Sequence, residues 1–194
     1  MKSFFLNINL LLACLILTQL QGCAAPLLVA GAAGGATVAT DKRSTRSMVD
    51  DQLIESKTKD KIYSEAEVAK KIHVNVTSYN GVVLLTGETL SRSLRTRAIN
   101  IARQINNVRR VHNEIRVTDL TSFGSRTNDS WITSKVKTQM FTAKEFKSSQ
   151  VKVVTEAGTV YIMGLVTKEA GNQAAEIARN VSGVNRVVKL FEYL

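Results

Sequence analysis

Trp131, Lys135, Lys137 and Phe141 place two aromatic rings and two ammonium groups within a short stretch of the C-terminal half. An indole beside amines suits a bilayer interface, where the ring partitions at headgroup depth and the amines meet phosphate. At about 100° per residue, Ile132, Val136 and Met140 share one helical face that must cover a core, with Trp131 and Phe141 about 140° from its centre on either flank. This pattern predicts a phospholipid-binding helix formed by Trp131, Lys135, Val136, Lys137, Met140 and Phe141, with about 1 kcal/mol per lysine near an anionic surface. The same residues permit a second reading, in which Trp131 packs between modules and the lysines are solvated.

Other reactive side chains are few. His73 lies at a strand start and His112 inside a strand-like segment, and neither has a cysteine or a second histidine at ligand spacing. Gly31, Gly34 and Gly35 lie in an Ala/Gly-rich stretch with no preceding strand, so they do not form a phosphate loop. Asp50-Asp51 is the one adjacent acidic pair, and Asp51 and Asp129 read as helix caps. The chain therefore carries no expectation of catalysis, of a metal site, of a small-molecule substrate or of a cofactor beyond covalent lipid.

Cysteine placement points to an address. Lys2 followed by an apolar run from Phe4 to Leu17 has the length of a secretion signal and is too short to span a bilayer comfortably. It ends in Leu20-Gln21-Gly22-Cys23, which resembles the bacterial lipobox. That resemblance implies cleavage before Cys23, diacylglycerol on its sulfur and an acyl chain on its new amino terminus. Ala24 stands where an inner-membrane retention signal would place Asp, so an outer-membrane anchor facing the periplasm is expected. Removing residues 1–22 subtracts Lys2 and brings the net charge from +10 to +9. In the envelope such a chain meets anionic lipid, polysaccharide or acidic proteins, with no role for nucleic acid. Cys14 leaves with the signal and Cys23 is consumed by lipid, which leaves no thiol pair for a disulfide.

The architecture follows from an internal repeat. His73-Val74-Asn75-Val76 with Asn80-Gly81 matches Gln150-Val151-Lys152-Val153 with Ala157-Gly158, and Gly87 matches Gly164. After a one-residue deletion, Ala98, Ile101, Ala102, Ile105 and Val108 fall on Ala174, Ile177, Ala178, Val181 and Val184. Each copy reads as a helix, a tight hairpin, a helix with a narrow apolar stripe and a third strand. The fold class is α+β: two tandem αββαβ modules, each a mixed three-stranded sheet covered by two helices. The expected boundaries are 1–22 signal, 23–45 lipidated tether, 46–118 first module, 119–128 linker and 129–194 second module.

The Gly81/Gly87 and Gly158/Gly164 pairs, Ile-Ala-Arg at 101–103 and 177–179, and Trp131-Ile132-Thr133 with Lys135-Val136-Lys137 resemble the BON-domain family of envelope proteins. The resemblance implies an outer-membrane lipoprotein supporting envelope integrity, enriched at the division site, whose second domain binds anionic phospholipid through its first helix. Lys42 departs from a frequent proline, and Met140-Phe141 from a Leu-Leu pair. Two other roles stay open: a protein-interaction or chaperone-like module engaging envelope proteins, and peptidoglycan binding through Arg92, Arg95, Arg97 and Arg103. Bulk charge favours the first module, with +6 over residues 41–118 against +3 over 119–194.

Overall fold

Val82-Val83-Leu84-Leu85 and Val160-Tyr161-Ile162-Met163 are unbroken apolar runs, and all eight residues are buried. A strand that is apolar on both faces needs a cover on each. In the computed structural model, which describes residues 41, 43–144 and 146–194, helices supply one cover and the sister sheet supplies the other. The signal, Cys23, Lys42 and nearly all of the tether lie outside the described residues.

The first module comprises α1 (Thr45–Ile62), a short α2 (Ala66–Ala69), β1 (Ile72–Tyr79), β2 (Val82–Thr89), α3 (Arg92–Arg103) and β3 (Arg110–Val117). The second repeats it with α4 (Phe123–Thr142), β4 (Val151–Glu156), β5 (Thr159–Val166), α5 (Lys168–Arg179) and β6 (Arg186–Tyr193), a 3-10 turn at Ser148–Gln150 preceding β4. In each sheet the hairpin is antiparallel and the third strand pairs parallel to the second, in order β1-β2-β3 and β4-β5-β6. Parallel pairing requires a crossover, which α3 and α5 provide.

Alternation along the strands sorts their side chains. Ile72, Val74, Val83, Leu85 and Ile115 pack with Ile54, Ile62, Ala98 and Ala102 of the helices. Val153, Val160 and Ile162 do the same with Ile132, Val136, Met140, Ala174 and Ala178. The opposite faces meet each other through Tyr79, Val82 and Leu84 from one module and Tyr161 and Met163 from the other. The result is a four-layer α-β-β-α sandwich. Arg109 with Glu192 (2.6 Å), Lys152 with Glu55 (2.5 Å) and Asn80 with Glu192 (2.8 Å) tie its edges. Among the described residues, all strand pairings and cores lie within one compact unit, and residues 41–194 form a self-contained fold.

Two boundaries differ from the sequence reading. α1 is capped by Ser44, whose hydroxyl accepts from the Ser47 amide at 3.1 Å, and α4 by Ser122 accepting from Ser125 at 3.4 Å. Asp51 and Asp129 are therefore not helix caps. Each lies more than a turn inside its helix, buried, and reaches across to the hairpin turn. Asp51 accepts from the Asn80 and Gly81 amides at 2.7 and 2.9 Å, and Asp129 from the Ala157 and Gly158 amides at 2.8 and 2.9 Å. α4 also begins earlier than expected, running back through residues 123–128 of the expected linker despite their turn-like composition. The Ser122 cap, which satisfies one of the free amides of the first turn, sets the start there.

The turns need left-handed backbone, with φ of +53° and +74° at Asn80 and Gly81 and +49° and +71° at Ala157 and Gly158. Gly81 and Gly158 take this freely, and asparagine tolerates it, but alanine pays about 1 kcal/mol. Ala157→Asn should therefore stabilise the chain by about 1 kcal/mol, read as a higher midpoint in chemical denaturation, whereas Asn80→Ala should lower it by a similar amount.

Burial first, then the carboxylates of Asp41 and Glu114, push the phenols of Tyr79 and Tyr161 up to about 12. An unfolded phenol titrates near 10. The neutral ring is the form favoured by folding, so its stabilisation is complete below about pH 10 and fades as pH rises through about 12. In an alkaline absorbance titration, these two tyrosines should ionise together with loss of sheet-to-sheet packing.

Candidate functional site

α4 builds its outward surface from the inside out. Ile132, Val136 and Met140 form the stripe that locks the helix onto β4 and β5, and Val136 and Met140 are 0% and 1% exposed. This corrects the sequence reading that placed those two among the phospholipid-contacting residues. Their role is to fix the rotation of the helix. With the stripe centred on Val136, Trp131 and Phe141 are forced outward, and they are 61% and 79% exposed.

The rotational order explains the chemistry. At about 100° per residue, Lys137, Phe141, Trp131 and Lys135 follow one another around the outer circumference, and the two rings straddle the pole opposite Val136. At 1.5 Å rise per residue they are about 15 Å apart along the axis. Between them lie only short hydroxyl side chains, Ser134 and Thr138, and the Ser134 hydroxyl donates back to the Ser130 carbonyl at 3.0 Å. The Lys135 ammonium sits 5.4 Å from the Trp131 ring centroid, within cation-π range. Lys137 is exposed on the opposite shoulder, beside Phe141. The acid of α4 is Asp129, buried against its hairpin turn, so the outward charge of this helix is positive.

The sister helix presents different chemistry. Leu53 is the counterpart of Trp131, and Tyr63 that of Phe141. The Tyr63 hydroxyl accepts from the Val74 amide at 2.7 Å and donates to the Val74 carbonyl at 3.0 Å, so this ring is held against β1 instead of facing out. Asp50, Glu55 and Asp60 interleave with Lys57, Lys59 and Lys61 along α1. On α3, the Arg97 guanidinium is paired with Glu65 at 2.6 Å, which removes one cation from the arginine face of Arg92, Arg95, Arg97 and Arg103. Bulk charge is thus a poor guide to the site.

Sequence reasoning treated His73 as an isolated strand histidine. It faces the partner sheet, where its Nδ1 lies 3.4 Å from Glu88 Oε2, and Glu156 of the second module closes the group. Arg116 donates to Glu88 at 2.5 Å and Asn75 to Glu156 at 3.0 Å. Burial raises the Glu156 carboxyl, the Asn75 hydrogen bond opposes the shift and the Glu88 charge adds to it. His112 is not in this group; burial and then the charge of Arg110 push its imidazole down, against the pull of Glu114.

With this geometry in view, comparison with known proteins is direct. The BON domain model matches residues 50–119 and 128–194, and the chain belongs to the BON-domain family. Among its relatives, it is 39% identical over 175 residues to the outer membrane lipoprotein DolP of Haemophilus influenzae, covering 90% of each chain. It is 36% identical over 161 residues to a protein named 21 kDa hemolysin from Actinobacillus pleuropneumoniae, covering 83% of each. The osmotically-inducible protein Y of Escherichia coli is 28% identical over 156 residues, covering 79% of this chain and 77% of that one.

Core and surface of α4 separate in a stability experiment. Met140→Ala should cost about 2–5 kcal/mol in denaturant unfolding, whereas Phe141→Ala and Trp131→Ala should stay within about 0.5 kcal/mol of the parent. A large loss in either surface variant would mean that its ring packs on protein.

Proposed function

We propose that this chain is a non-enzymatic outer-membrane lipoprotein, anchored through acylated Cys23 and facing the periplasm, whose second BON domain docks on anionic phospholipid through α4. Its physiological role in this reading is to support outer-membrane integrity, with enrichment at the division site. The observation that carries the docking is the exposed Trp131 and Phe141 pair, centred opposite the core stripe and shouldered by Lys135 and Lys137. Rings placed this way can enter the headgroup region together while the amines stay at phosphate level. The likeness to a named outer membrane lipoprotein over most of both chains supports the anchor and the location.

Affinity of the helix alone need not be high. Two lysines contribute about 2 kcal/mol near an anionic surface, and the lipid tether raises local concentration so that weak insertion suffices. The buried Val136 and Met140 keep the helix from rolling its aromatics away from the membrane.

Vesicle flotation of residues 41–194, which lack the anchor, tests this directly. Recovery should be high with phosphatidylglycerol in phosphatidylcholine vesicles and low with phosphatidylcholine alone, and Trp131→Glu should abolish it. Lys135→Gln with Lys137→Gln should weaken binding roughly 30-fold, the equivalent of about 2 kcal/mol. Equal recovery on neutral lipid, or photocrosslinking from position 131 to envelope proteins in place of lipid, would overturn the reading in favour of a protein-interaction module.

A further inference from the structure

We propose that His73, Glu88 and Glu156 form a divalent transition-metal site, suited to zinc, that clamps the two BON domains at their sheet-to-sheet interface. His73 and Glu88 are cross-strand partners on β1 and β2, and both side chains point toward the second module. Glu156 is the last residue of β4 and points back at them. One ligand atom from each residue lies within 4.8 Å of the other two, and the His73 Nδ1 to Glu88 Oε2 separation is 3.4 Å. Tetrahedral zinc with bonds near 2.0–2.1 Å places its donors about 3.3 Å apart. One edge of that tetrahedron is therefore already formed, and Glu156 has to close by about 1.4 Å at most, within reach of its side-chain torsions.

The surroundings orient these donors as outer contacts of metal ligands do. Arg116 holds Glu88 Oε1 and leaves Oε2 turned toward His73, while Asn75 holds Glu156 Oε2 and leaves Oε1 for coordination. Thr121 donates to Glu88 Oε2 at 3.2 Å and fixes its direction further. Glu88 is 0% exposed and Glu156 5% exposed. Arg116 pairs with Glu88, and Arg126 and Asp129 line the crevice beside Glu156, so three carboxylates there face two guanidiniums and leave a negative charge that a cation relieves. Arg116 is half exposed, so its own charge is partly screened from an incoming ion.

Access exists from one side. A crevice of about 510 Å³, lined in part by His73, Asn75, Asp129, Thr133 and Glu156, opens at this end of the interface. It can admit the ion and leave room for a water as fourth ligand. One imidazole with two carboxylates suits zinc or another divalent transition metal better than calcium, which takes oxygen donors alone. Because the donors come from both modules, binding would oppose their separation by mass action.

Residues 41–194 contain neither cysteine of the chain, so thiol binding cannot mimic the site. Untagged protein stripped with a chelator and titrated with Zn²⁺ by calorimetry should bind one ion, and cobalt should give the visible absorption of a tetrahedral centre. His73→Ala and Glu156→Gln should each weaken binding at least 10-fold, whereas His112→Ala should leave it unchanged. Zn²⁺ should also raise the thermal midpoint of the parent but not of His73→Ala. Absence of a stoichiometric site in folded protein, or equal affinity in the His73→Ala/Glu156→Gln double variant, would overturn the proposal and leave a hydrogen-bonded polar cluster at the interface. Vesicle flotation does not depend on the ion, so failure here is distinct from failure of lipid docking.

Discussion

The central strands of this molecule have no polar face. Because Val82 to Leu85 and Val160 to Met163 are apolar on consecutive positions, each sheet exposes a second hydrophobic surface once its helices are in place. A single module in water would present Val82, Leu84 and Tyr79, or Tyr161 and Met163, to solvent. Burying one large apolar side chain is worth about 1.5–3 kcal/mol, so five of them outweigh the entropy of joining two modules already on one chain. Docking of the sheets therefore follows from strand composition, and it dictates that both pairs of helices face outward. The display of α4 to its surroundings is a consequence of that packing.

Orientation of each helix is set by a second device, used twice. A buried aspartate one to two turns into the first helix accepts two amides from the hairpin turn, and the turn in exchange fixes the axial position of the helix. In the first module Asp51 also accepts from the Ser78 hydroxyl at 2.6 Å and from Arg43 at 2.7 Å. The second module keeps the two turn amides on Asp129 and tolerates Ala157 in left-handed backbone. Carboxylate-to-amide bonds of this kind are stronger than neutral ones, which is how such a strained turn is maintained. The same contact keeps Asp129 from offering its charge to the surface that carries Lys135 and Lys137.

Much of this was legible in the linear chain. The repeat, the Asn80-Gly81 hairpin and the stripes ending at Ile105 and Val181 gave the αββαβ order, since each rests on local periodicity. The outward rotation of Trp131 and Phe141 was also readable, because angles around a helix follow from spacing alone. Partners distant in sequence were not readable. Asp51 and Asp129 looked like caps since aspartate beside a helical pattern normally serves there, and only the folded turn reveals the amides they meet. The serines that do cap each sit seven residues earlier, inside segments of turn-like composition. His73, Glu88 and Glu156 come from three strands in two modules, and no spacing rule joins them. The unbroken apolar runs in β2 and β5 were the available signal for sheet-to-sheet packing, yet a half-buried hairpin explains their neighbours equally well.

Duplication lets one architecture carry two surfaces. In the first module, Tyr63 turns inward to bond β1 and α1 interleaves acids with lysines, so that helix is poorly suited to an anionic surface despite the larger net charge of its module. In the second, the equivalent aromatic is left outside and the acids are withdrawn. The difference lies in a few side chains on an otherwise matched helix, where substitution hardly perturbs the core. Net charge sums over both wet faces of a module and steers encounters at a distance, with reach limited to about 8–10 Å by salt. Contact chemistry depends on what one face presents at the bilayer. In the docking reading proposed for α4, a less charged module with aromatics at its pole is therefore a better match to an anionic bilayer than a more charged one without them.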